Sequence, residues 1–91
     1  MTRSDLKELV ENVPVLGTPT STGSISGLYQ IYSKYNDENI WGFTQSYRTK
    51  EGISNMLLNV NDDLLKHLDI KLVFTNAQDN STTELFNTME I

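Results

Sequence analysis

The sequence predicts a single α+β domain. Its antiparallel sheet is built on an aromatic hairpin over 28–47, with an N-terminal helix over 3–13 and one or two short helices packed on it. Three observations carry this. The stretch LYQIYSKYNDENIWGFTQSY, from Leu28 to Tyr47, holds all four tyrosines, the one tryptophan and one of three phenylalanines. Leu6, Leu9, Val10 and Val13 follow the i, i+3, i+4, i+7 spacing of one helical face. Ile70 to Thr75, IKLVFT, reads as a strand between polar segments. Ninety-one residues suit one domain, 1–91.

In the first helix, Thr2 or Ser4 serves as N-cap, and Asp5 and Glu8 lie near the positive end of the dipole. Pro14 ends it, because the residue before proline avoids the α region. Val15 to Gly27, VLGTPTSTGSISG, reads as part of a flexible loop over 14–27.

In the hairpin, Asn36-Asp37-Glu38-Asn39 suits a turn between two arms rich in strand formers. A tip at Asp37-Glu38 sets Lys34 opposite Trp41, Tyr32 opposite Phe43 and Leu28 opposite Tyr47 on one face. Lys34 then lies over Trp41 as a cation–π pair. This face is the bulkier, and is assigned to the core. The other face carries Tyr29, Ile31, Tyr35 and Ile40, and is less polar than a solvated face. Either another element such as the N-terminal helix covers it, or a partner does.

Beyond the hairpin, Ile53 to Val60 fits either a third strand, entered by a turn at Glu51-Gly52, or a helix with a stripe of Ile53, Met56, Leu57 and Val60. The strand is favoured, since Gly52, Asn55, Asn59 and Asn61 weaken a helix. Asn61 then caps a short helix through Leu68. The final segment from Ser81 reads either as a helix opened by a Ser81/Glu84 capping box or as a strand returning along Ile70–Thr75. The helix is favoured.

Composition narrows the function. The chain has no cysteine, so thiolate chemistry and disulfides are excluded. That fits a reducing cytoplasm, as does a start, MTRSDLKELV, without a secretory apolar run. A net charge of −5 disfavours direct nucleic-acid binding and attachment to anionic membranes, and suits a basic protein surface. Gly17 to Gly23 has the wrong gap and no lysine for a P-loop. Gly23 to Gly27 has Ile25 where a nucleophile elbow needs serine. Asn59, Asn61 and Asp63 share the opening spacing of a calcium loop, but Leu64 and Ile70 stand where its glycine and glutamate belong. His67, the one histidine, has no catalytic or zinc-site signature around it.

The expectation is therefore a small acidic protein without catalysis, cofactor or metal. It binds another protein in the manner of an inhibitor, immunity-type protein or adaptor. Tyr29, Tyr35, Asp37, Glu38 and Ile40 form the expected contact, since tyrosine gives contact area at low entropic cost. The alternative is a structural subunit of a homo-oligomer or larger assembly.

Overall fold

A computed structural model describes residues 2–14, 27–77 and 79–90. Residues 15–26 of the expected loop lie outside the described residues. The elements run α1 (Arg3–Glu11), β1 (Gly27–Tyr35), β2 (Gly42–Tyr47), α2 (Lys50–Leu57), α3 (Asp62–Leu65), β3 (Leu68–Asn76) and β4 (Thr82–Asn87), with a closing 3-10 turn at Thr88–Glu90. The strands form one sheet in the order β2-β1-β3-β4, each neighbouring pair antiparallel. The α+β class and the hairpin stand as expected.

Helix α1 opens on Thr2, whose hydroxyl accepts from the Asp5 N–H while the Asp5 carboxylate accepts from the Thr2 N–H. It closes at Glu11 with Asn12 as C-cap, three residues before Pro14. Leu6, Val10 and Val13 are buried. Two cations fasten α1 beside α2. The Arg3 guanidinium donates to the Val60 carbonyl and pairs with Asp62, and the Lys50 ammonium donates to the Glu11 carbonyl. The start of α1 thus meets the end of α2, and the end of α1 meets its start, so the two helices run antiparallel.

Residues 50–57 form a helix, not the expected strand. Thr49 caps it by accepting from the Gly52 N–H. Ile53 and Leu57 are buried, Met56 and Val60 pack partly, and Asn55 and Asn59 point to solvent. The asparagines cost a few tenths of a kcal/mol each in propensity, and burying Ile53 and Leu57 contributes about 1.5–3 kcal/mol apiece. Burial wins. Gly52 has a packing role: a Cβ there would stand 2.8 Å from the Tyr47 ring. The short helix capped by Asn61 is present but ends at Leu65, and Leu68 already belongs to β3.

The C-terminal segment is strand β4, not the favoured helix. It returns along β3, with Phe86 beside Leu72 and Thr82 beside Thr75. A helix would leave the backbone of β3 unpaired on that side, whereas Thr82 and Thr83 suit a strand. The β3–β4 turn is closed by the Asn76 N–H donating to Ser81, with Asn80 in the left-handed region at φ 59°.

The two hairpin faces are exchanged relative to expectation. Tyr29 and Ile31 join Ile70, Leu72, Phe74 and Phe86 in the core, under Leu6, Val10, Ile53, Leu57 and Leu65 of the helices. The same chain thus covers that face, and the Tyr32 face is the outer one. The register explains part of the exchange. Tyr32 pairs with Phe43 and Ser33 with Gly42, as expected, but a bulge between Ile31 and Tyr32 shifts the rest. Tyr47 then sits beside Tyr29 instead of Leu28, and packs against the core.

Candidate binding surface

Strand alternation sets the outer face of the sheet. It carries Leu28, Gln30, Tyr32 and Lys34 from β1, Phe43 from β2, and Asp69, Lys71, Val73 and Thr75 from β3. At its hairpin end these side chains make one cluster. The Tyr32 and Phe43 rings meet edge-to-face at 5.6 Å between centroids. Trp41 sits over two ammonium groups, Lys71 at 4.8 Å and Lys34 at 5.4 Å from the ring centroid. Lys71 also lies 5.3 Å from the Tyr32 ring. The expected stacking of Lys34 on Trp41 is present. Lys34 is buried even on this face, because Trp41 lies over it and Asp69 pairs with it at 2.9 Å.

The tip of the hairpin is held from below. The Asn36 N–H donates to the His67 carbonyl and its side-chain amide to the Lys66 carbonyl. Within the tip, the Glu38 N–H donates to the Tyr35 carbonyl, and the Tyr35 N–H to the Glu38 carboxylate. Two of these bonds tie the turn to the α3–β3 connection and two brace it internally, so little ordering remains to be done on binding.

The tip presents apolar surface. Ile40 is 82% exposed, Phe43 58% and Tyr35 51%. Asp37 and Glu38, between Tyr35 and Ile40 in the chain, are also exposed and add two carboxylates to the tip. Four of the five expected contact residues, Tyr35, Asp37, Glu38 and Ile40, therefore lie together and accessible. The fifth does not. Tyr29 is fully buried, stacked edge-to-face on Phe74 at 5.3 Å, and its hydroxyl donates to the Pro14 carbonyl. It is a core residue because Ile31, Leu72 and Phe74 share its face.

Phe43 and Trp41 were expected in the core and instead border the accessible surface. Lys34 and Lys71 were the available signal, since a strand face with two lysines is a poor core candidate. Among the described residues, no three His, Asp or Glu side chains gather as a metal site needs, and no helix is long and apolar enough to cross a membrane. His67 is exposed and contributes its backbone to the hairpin tip. No protein-family model matches the chain, and no curated protein or solved structure does so either.

Proposed function

We propose that this chain is a non-catalytic protein-binding module, of the inhibitor, immunity-type or adaptor kind, that acts by occupying a partner's surface. The observation that carries the reading is the exposed apolar side chains of Tyr35 and Ile40 at a turn braced by hydrogen bonds, with Phe43 exposed on the adjoining strand. Exposed apolar groups on a rigid support are what a binding hot spot needs. Asp37 and Glu38 beside them, with a net charge of −5, favour a partner with a basic surface. Nucleic acid and membrane are poorer partners, because Lys34 and Lys71 are engaged with Asp69, Trp41 and Tyr32. A reducing cytoplasm suits a chain without cysteine.

The test is retention from source lysate on the immobilised protein, compared with a Tyr35→Ser/Ile40→Ser variant of unchanged melting temperature. Proteins held by the wild type and lost by the variant support the reading. Equal retention on both sinks it. The runner-up, a structural subunit, draws on the same exposed side chains by placing them between copies, and native mass separates the two.

A further inference from the structure

We infer that the edge of β2 and the cleft beside it dock one extended segment of a partner protein, which adds as a fifth strand and seats one apolar side chain in the cleft. This rests on the binding-module reading and gives the partner segment its chemistry.

The edge comes first. Among the described residues β2 ends the sheet, and alternate N–H and C=O groups along its outer side have no strand neighbour. Residues 42–45 are exposed. Proteins usually guard such an edge with lysine, proline or a covering element. Gly42 to Tyr47, GFTQSY, has no charge and no proline, and its one guard is the bulge at Thr44. The opposite edge is guarded better. β4 carries Glu84, and the turn that follows it folds back on β3, where the Thr88 hydroxyl accepts from the Ile70 N–H.

The cleft is the second observation. Thr44 follows outward-facing Phe43 and so points to the helical side, where its hydroxyl bonds that of Ser33 at 3.0 Å. Beside Thr44 lies a half-open cleft of about 190 Å³, walled by Ile31, Met56, Val60, Leu64 and Ile70 among others. Leu64 on its rim is 40% exposed. Apart from the Ser33 and Thr44 hydroxyls, which bond each other, the lining is apolar, so the cleft offers little to a polar guest. Its volume suits one leucine, isoleucine or phenylalanine side chain, since a cavity of about 150 Å³ holds benzene.

The two features fit one occupant. A strand laid along β2 alternates its side chains, and the one beside Thr44 points to the cleft. Main-chain bonds then supply affinity and the cleft supplies selectivity. A second copy of this chain is the weaker fit. Its own β2 offers the cleft only Thr44 and Gln45, because Tyr47 is packed on Gly52. The net charge of −5 favours lysine or arginine flanking the apolar anchor.

The experiment uses the full 15N-labelled chain and four capped nonapeptides. Each alternates threonine and valine, ends in lysine, and has leucine, isoleucine, phenylalanine or glycine at its centre. The expected result is shifts and slowed hydrogen exchange at the amides of Gly42 to Ser46, with an apolar centre binding roughly tenfold more tightly than glycine. Thr44→Lys and Leu64→Glu each weaken that binding by roughly tenfold, and Leu64→Glu keeps the test open should Thr44→Lys unfold. Three results overturn the inference: no shifts in β2 at about 1 mM peptide, equal binding by the glycine peptide, or shifts in β4 instead. A Thr44→Lys chain that still retains the proteins lost by Tyr35→Ser/Ile40→Ser also overturns it, and leaves the hairpin-end reading standing.

Discussion

Replacing Tyr29 by serine separates the two faces of the hairpin more sharply than any other single change. Its ring is fully buried, meets Phe74 edge-to-face, and its hydroxyl holds the Pro14 carbonyl. Truncating a buried aromatic costs about 3–5 kcal/mol. The lost hydrogen bond adds roughly 1 kcal/mol, partly offset if serine finds a partner. A domain of this length has a total stability of roughly 5–14 kcal/mol, so Tyr29→Ser removes about a quarter of it or more. Tyr29→Phe keeps the ring and loses only about 1 kcal/mol. Tyr35→Ser, at the exposed tip, stays within about 0.5 kcal/mol of wild type. Equilibrium urea unfolding followed by Trp41 fluorescence measures all three, with a slope of roughly 1 kcal/mol per molar. The expected order of midpoints is Tyr35→Ser near wild type, Tyr29→Phe slightly lower, and Tyr29→Ser lower by several molar or already unfolded. Equal midpoints for Tyr29→Ser and Tyr35→Ser would refute the assignment of the core face.

Lys34→Met leaves the Asp69 carboxylate, only 18% exposed in its side chain, without its partner. A loss of about 2–3 kcal/mol is expected, and Lys34→Met/Asp69→Leu recovers most of it in a double-mutant cycle. Gly27→Ala drives a methyl group into the Thr75 carbonyl and the Phe74 ring. It should cost about 1–3 kcal/mol, read as a drop of several degrees or more in melting temperature. The Ser81 N–H, and then its side chain, hold the Asp79 carboxyl below the usual aspartate range. A depressed folded-state pKa contributes stability above the unfolded value and loses it as pH falls through the folded one. Asp79→Asn should therefore flatten the acid limb of stability against pH, and the Asp79 carboxyl carbon should titrate below an ordinary aspartate.

The arms of the hairpin were legible because strand propensity and a polar turn agree there. Its faces were not, because both carry large side chains and bulk alone does not decide burial. The deciding pattern lies in β3, where Ile70, Leu72 and Phe74 share one side and Lys71 and Thr75 lie on the other. Pairing β1 with β3 then forces Tyr29 and Ile31 inward. The bulge at Thr44, which turns Tyr47 to the core, has no signal in GFTQSY. Residues 50–57 are not legible as a helix because Gly52 and Asn55 weigh against one in isolation, while the tertiary gain at Ile53 and Leu57 outweighs that cost. In the candidate site, the tip residues 35–40 could be read from the turn itself. Trp41 and Phe43 could not, since their accessibility depends on which side the helices pack.

The central claim is that the hairpin end stays free for another protein, and native mass tests it most directly. Size-exclusion chromatography with light scattering over a dilution series should give a monomer near 10.3 kDa throughout. A stable dimer that survives dilution would contradict the claim, because Tyr35, Ile40 and Phe43 would then be spent between copies of the chain.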